Sequence, residues 1–446
     1  MKNLTEGNIY KNFILFAVPI ILSGLLSQMY NVVDSIIAGK YLGEQGLAAV
    51  GATAAFITFV SSFFWGYSTG TSIYTAMLFG SEDYKALKTS IYSNAVTLFA
   101  ASAAISLLSV IFKDFIFNML NVDVAIRKDA AIYFVIYILG IFGFVLNHFG
   151  VCTMHALGIS GFSLRMSIIS TVINISGNIL SVAVFKIGVA GIALSSVIAA
   201  LVVCVCYYIK LQKCFKEMGC YDYKVKVSFK AIKKTFGFAV PVMLQQSVMY
   251  TTSLVIAPIV NAIGSSATAA YSIVLRIYDI NAGVYQNSSK TLMNYTAQCI
   301  GAKKLDGIKK GVRVGFVQGL IFLAPFLVIC VGFAEPFCRM FFPKGYTGDA
   351  LTFSVTFVRY FLPFIIFNVI NNLFHSFFRG IKAMNLLVLF TAMGAVSRII
   401  ATVILAKDYG MDGVYWGWII SWICEAVPVV ILYFSGAWKK QLKNIM

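Results

Sequence analysis

FILFAVPIILSGLLSQMYNVVDSIIA, Phe13 to Ala38, is an apolar run of about 25 residues, long enough to cross a bilayer as one helix. One acid, Asp34, lies deep inside it. A carboxylate at that depth costs several kcal/mol unless it faces a polar interior, so the acid reads first as functional. It has company: Ser27, Tyr30, Asn31 and Asp34 stand at i, i+3, i+4 and i+7, which is one face of a helix. Lipid does not meet such a stripe. Two readings stay open for it, ion or substrate handling at Asp34 and hydrogen-bonded contact with a neighbouring helix.

Outward from this run the rest of the chain has the same character. Hydrophobic residues make up 59% and charged residues 12%, with a mean hydropathy of +0.85, far from the composition of a soluble domain. Apolar stretches recur to the end and predict twelve helices, near 13–37, 50–79, 89–112, 131–155, 165–185, 188–210, 236–262, 267–299, 312–333, 351–377, 384–405 and 413–435. They are too long, and too free of alternation, for the strands of a barrel. A short polar start precedes the first, with no small-residue cleavage site after it, so this helix is expected to be retained.

The net charge of +18 is distributed as a topology signal. With the N-terminus inside, most Lys and Arg fall in the inner segments, above all in Lys210–Lys234. This positive-inside pattern predicts both termini in the cytoplasm, with the basic stretch near anionic lipid. No nucleic-acid partner is expected. Nine cysteines show no CxxC pair, three histidines form no HExxH or triad-like set, and no GxxxxGK[ST] occurs. Neither a metal, a disulfide, an organic cofactor nor an enzymatic centre is expected.

The chain repeats itself at an offset of about 222 residues. Phe16-Ala17-Val18-Pro19 returns as Phe238-Ala239-Val240-Pro241, and Gly43 with Leu47-Ala48-Ala49-Val50 answers Gly264 with Ala267-Thr268-Ala269-Ala270. AMLFG (76–80) answers AQCIG (297–301), each before a charged loop, and His155 answers His375. Six helices per copy give both copies the same orientation, a transporter architecture with its site near mid-membrane. The expected division is a first lobe at 1–211, a basic cytoplasmic linker at 212–235 and a second lobe at 236–446.

These motifs carry a family resemblance. Pro19, the run Tyr30-Asn31-Val32-Val33-Asp34, then Gly39, Gly43 and LAAVG (47–51), with Asn174-Ile175-Ser176-Gly177-Asn178 leading to GVAGIALSSVIA (188–199), resemble the MATE (multidrug and toxic compound extrusion) transporters, in their bacterial DinF-like branch. The resemblance implies an all-α polytopic membrane protein, twelve helices in two six-helix repeats, V-shaped and two-lobed. It implies export of cationic or amphipathic drug-like compounds in exchange for H+ or Na+ from a bacterial inner (plasma) membrane. A monomer is the expected working unit. A flippase for a lipid-linked or anionic amphipathic substrate shares the architecture, and Arg276, Lys290, Arg359 and Arg398 keep that alternative open.

Carried over by residue, the cation-coupling set is Asp34 with Asn174 and Asn178, and a hydroxyl from Ser195 or Ser196. The family often has an acid where this chain has Asn178. Asn174 and Asn178 are i, i+4 and share a helical face, for ligand contact or for interhelical bonding. Desolvation disfavours a charged Asp34 and so favours proton coupling, while amide and hydroxyl oxygens could also serve Na+ there. Substrate or cleft candidates are Ser27, Tyr30, Asn31, Gln245, Gln246, Tyr250, Asp279 and Asn281. The second half has Ile256 where the first has Asp34. Its charges are expected to pair, Arg276 with Asp279 and Arg398 with Glu425. A second ion or substrate site using Asp279 or Glu425 is the other reading.

Overall fold

The computed structural model describes residues 3–120, 122–342 and 345–439, without the side chains of Met29, Tyr30, Asn31, Val32, Ser35, Glu44, Leu47, Ala55, Tyr250 and Leu254. Among the described residues every regular element is helical. α1 (Ile9–Gly80) carries the first two expected spans, joined at Gly43, where φ is 68° and ψ −166°. That conformation opposes an L side chain, so a glycine marks the turn. α2 (Tyr84–Ile111) begins at Asp83, whose carboxylate accepts the Ala86 N–H at 3.1 Å and so caps a helix end. After the short α3 (Lys113–Met119), α4 (Arg127–Leu139) and α5 (Ile141–Ala156) meet at a 46° bend and together reach the length and apolarity of a span. α6 (Ser160–Asn178) runs into a π-helical turn, Ile179–Val184, and α7 (Val189–Glu217) closes the first half.

The second half follows the same plan with α8 (Phe229–Ile263), α9 (Ser265–Gly301), α10 (Asp306–Gly332), the short α11 (Ala334–Arg339) and α12 (Asp349–Thr356). A π turn at Phe357–Phe361 and a 3-10 turn at Leu362–Phe364 lead into α13 (Ile365–Gly380). α14 (Asn385–Phe434) contains the last two expected spans, joined at Gly410 with φ 54° and ψ −126°. Among the described residues eight helices are long and apolar enough to cross a membrane, or up to ten with the bent pairs. α14 holds two spans in one element, and α9, at 37 residues, is long enough but more polar. The repeat is written in the backbone too: left-handed φ recurs at Gly43 and Gly264, at Glu82 and Lys303, and at Gly188 and Gly410.

Packing divides the chain into two units, Leu22–Met243 and Leu4–Ile21 with Leu244 onward. In the second unit the opening turns of α1 are held by the Leu4 N–H donating to Gln298 Oε1 at 2.9 Å and by Phe13 set edge-on to Tyr295. In the first unit the opening turns of α8 are held by Asn94 Nδ2 donating to Thr235 Oγ1 at 2.9 Å and by Tyr74 stacked on Phe238. The packing units therefore differ from the sequence halves by an exchange of these two segments. Between apolar lipid and apolar helices there is little transfer energy to gain, so close packing and hydrogen bonds hold spans together. The buried face of α2 shows this: Ser90, Ser93, Asn94, Ser102, Ser106 and Ser109 all point inward. Ser106 Oγ donates to Ile138 O at 2.5 Å, and the Ser228 N–H donates to Ser93 Oγ at 2.9 Å.

Candidate ion-coupling site

Three helices of the first unit bring the site together. Asp34 on α1 is half-buried, and Asn174 and Asn178 on α6 are fully buried beside it. Asn178 Nδ2 donates to Asp34 Oδ1 at 2.5 Å and to Asn174 Oδ1 at 3.2 Å, which uses both hydrogens of the amide. Asn174 Nδ2 donates in turn to Ser196 Oγ on α7 at 3.0 Å. The i, i+4 spacing on α6 thus yields one chain of bonds from α7 through α6 to the carboxylate. Asn178 Oδ1 is buried without a hydrogen-bond partner.

Between the two serines the geometry chooses. Ser196 joins the chain, whereas Ser195 Oγ donates to Gly191 O at 2.7 Å and faces Ser181 Oγ at 3.4 Å. The π turn begins at the residue after Asn178, and such turns are frequent at functional sites. Two phenols lie within electrostatic reach of the acid. The charge of Asp34 reaches the phenols of Tyr133 and Tyr137 on α4, whose rings stack at 5.7 Å. Sequence reading passed over both, because an i, i+4 aromatic pair looks like ordinary packing.

Of the other stripe residues, Ser27 lies apart from this chain of bonds. Ser27 is exposed and its hydroxyl donates one turn back, to Ser23 O at 3.0 Å. Tyr30, Asn31 and Tyr250 fall outside the described side chains. In the second unit, Asn281 is buried and donates to Ile277 O at 2.9 Å, while Gln246 is half-buried and apart from it.

Neither expected ion pair forms among the described residues. Arg276 and Asp279 are both exposed on α9. Arg398 lies over the Trp418 ring at 4.2 Å and donates from Nη2 to Tyr271 Oη at 3.2 Å. Trp418 and Glu425 are seven residues apart on α14, about 10 Å along the axis, so stacking on one places Arg398 far from the other.

Glu425 belongs instead to a buried network that holds Gln245 as well. Thr391 Oγ1 donates to Glu425 Oε1 at 2.6 Å, His375 Nε2 stands 3.5 Å from the same oxygen, and Asn371 Nδ2 is 3.4 Å from Oε2. Gln245 Nε2 bonds to His375 Nδ1 at 2.8 Å and to Thr391 Oγ1 at 2.9 Å, and Arg379 Nη2 donates to Gln245 Oε1. Among the described residues no group of three or more His, Cys, Asp or Glu is placed to hold a metal ion.

Comparison with known proteins agrees with this architecture. The MatE family profile matches residues 19–180 and 241–404, one stretch in each half. Probable multidrug resistance protein YpnP of Bacillus subtilis (strain 168) is 22% identical over 98% of this chain and 97% of its own. Multidrug export protein MepA of Staphylococcus haemolyticus (strain JCSC1435) is 21% identical over 96% and 94%. Among solved structures, an outward-facing multidrug resistance MATE family transporter of the MOP superfamily superposes with a TM-score of 0.90 at 16% identity, over 99% of both chains. A MOP superfamily transporter from Pyrococcus furiosus superposes with a TM-score of 0.88 at 16% identity, again over 99% of both. The chain belongs to the MatE family: it is a multi-pass membrane transporter of the multidrug efflux type, not an enzyme.

Proposed function

We propose that the protein exports small organic cations and cationic amphiphiles in exchange for protons, with Asp34 as the coupling carboxylate. The observation that carries this reading is the Asp34–Asn178 contact, a membrane-embedded carboxylate fastened to a buried amide chain. Such a carboxylate is expensive unless it works. In the arrangement observed Asp34 accepts an N–H, which suits its ionised form. A proton on Asp34 would need an acceptor, and Asn178 Oδ1 supplies one when the amide turns over. The turn exchanges the bonds between α1 and α6, so proton binding biases the arrangement of these helices. Sodium would need oxygens, not an amide N–H, around the carboxylate.

Asp279 supports a cationic cargo. It is an exposed acid midway along α9, where a charge faces water rather than lipid. Arg276 is exposed close by, so this surface offers both signs and is not the strongly basic wall a lipid-phosphate flippase would need. The setting proposed is a bacterial plasma membrane with both termini in the cytoplasm and the monomer as working unit. Reconstituted protein should drive efflux of a lipophilic monocation under an imposed pH gradient, and Asp34→Asn, inserted at normal levels, should abolish it. Efflux that follows a sodium gradient alone, or that survives in Asp34→Asn, overturns the assignment.

A further inference from the structure

The polar network of the second unit has a direction, and the direction identifies what it serves. An arginine can only donate, so the atom of Gln245 facing Arg379 must be its carbonyl oxygen. The Gln245 amide nitrogen then points the other way, with one hydrogen on His375 Nδ1 and one on Thr391 Oγ1. With Nδ1 accepting, the neutral imidazole carries its proton on Nε2, the atom 3.5 Å from Glu425 Oε1. Accepting from Gln245, the Thr391 hydroxyl gives its one hydrogen to the same carboxylate oxygen at 2.6 Å. Asn371 adds an N–H at Oε2. The bonds through Gln245 and Thr391 run from Arg379 toward Glu425.

We propose that Glu425 is a proton-binding site of the second unit and that Asn371 reads its state. In this arrangement the carboxylate faces only donors, which suits its ionised form. A proton taken from water and bonded to Oε2 makes an O–H that has no acceptor until the Asn371 amide turns over. Asn371 Oδ1 is buried without a partner and is the acceptor that the turn provides. The same turn removes the Asn371 Nδ2 bond to Trp422 O at 3.1 Å, which ties α13 to α14. Protonation therefore trades a fixed helix–helix bond for a bond to the acid, and loss of the proton restores it. Packing of the unit keeps this local: Gln245, Asn371, His375 and Thr391 are all buried.

Among the described residues the charged and titratable groups around Glu425 are few. α13 presents His375 and Arg379, whose charge reaches Glu425, and the first limb of α14 carries Arg398 two turns beyond Thr391. α9 contributes Tyr278, stacked on Trp422, with the exposed Asp279 next to it. Among its described side chains, α8 contributes the neutral Gln245. Titration of this acid would therefore be sensed first through Asn371 and the α13–α14 contact.

The inference deepens the antiport reading, yet its test needs no transport. Infrared difference spectra of the full-length protein in liposomes are recorded across a pH titration, with Asp34→Asn to silence the first unit's acid. A protonated-carboxyl C=O band should appear as pH falls and vanish in Glu425→Gln. In Asn371→Ala the band should move to higher frequency, because the acid's O–H loses its acceptor. Spectra unchanged by Glu425→Gln overturn the proposal. Should that variant fail to fold, an unmoved set of bands in Asn371→Ala overturns it instead. Failure of the Asp34 assignment is seen separately, as efflux that persists in Asp34→Asn.

Discussion

Asn178 Nδ2 lies 2.5 Å from Asp34 Oδ1, and the same nitrogen reaches Asn174 Oδ1 at 3.2 Å. A bond to a charged acceptor contributes about 1.5–3 kcal/mol, more than a neutral one. Asn178→Ala removes both contacts. Its initial efflux rate under a fixed pH gradient is expected to fall at least about tenfold, the equivalent of roughly 1.4 kcal/mol. Asn178→Asp should behave differently: it keeps a side chain of the same size but adds a second acid. Efflux is then retained with a changed proton-to-substrate ratio, and an unaltered ratio would show that this position does not take part in coupling.

How much of this was legible beforehand depended on how local the signal was. Asp34, Asn174 and Asn178 announce themselves because an acid in an apolar run and two amides at i, i+4 are readable from spacing alone. Ser196 was readable only as one of a pair, since the rotation of α7 about its axis decides which serine faces α6. The second unit resisted for a different reason. Gln245, His375, Arg379, Thr391 and Glu425 come from three helices far apart in sequence, and no spacing rule connects them. The expected Arg398–Glu425 pair failed on depth: opposite charges on neighbouring helices meet only at equal height, and Arg398 is at the level of Trp418. The boundary of a packing unit was hidden as well, because the exchange of opening turns between α1 and α8 leaves no compositional mark.

That exchange makes a steric prediction. A Cβ at Gly70 would stand 2.4 Å from the Ala239 Cα and 2.6 Å from its backbone nitrogen. Backbone cannot step aside as a flexible side chain can. Gly70→Ala is expected to cost about 1–3 kcal/mol, the range of overpacked sites, and to lower the unfolding temperature in detergent by several degrees. Gly51→Ala is the control, for its Cβ would meet nothing within 4 Å. Equal unfolding temperatures for the two variants would refute the close approach of α1 and α8.

Lys88 anchors the basic segment that follows α7. Its Nζ donates to the carbonyls of Cys220 at 3.0 Å, Tyr221 at 2.6 Å and Tyr223 at 2.8 Å, saturating all three hydrogens of the ammonium. Lys88→Met keeps the aliphatic stem and loses the donors. The half-exposed setting limits the effect to about 1 kcal/mol of local order. Cleavage between residues 218 and 228 in limited proteolysis should accelerate several-fold while the unfolding temperature of the whole chain barely moves. An unchanged cleavage rate would mean that the segment is held by other contacts.

Asn94 offers a sharper test of how hydrogen bonds hold α8 in the first unit. Its Oδ1 accepts from the Tyr67 hydroxyl at 2.6 Å, and its Nδ2 donates to Ser90 O at 2.8 Å and to Thr235 Oγ1 at 2.9 Å. An average interhelical bond in a membrane contributes only about 0.6 kcal/mol, so lost attraction alone makes a weak phenotype. The larger penalty is a stranded partner, about 1–3 kcal/mol for a buried polar group without a bond. Asn94→Leu strands the Tyr67 hydroxyl. Adding Tyr67→Phe removes the stranded group, so the double variant is expected to be more stable than the sum of the two single changes by about 1 kcal/mol. Strict additivity in unfolding measurements would show that Tyr67 and Asn94 are neighbours without being coupled. The fastening of α8 would then rest on steric fit at Gly70 and on the ring contacts of Phe236 and Phe238 with Tyr67 and Tyr74.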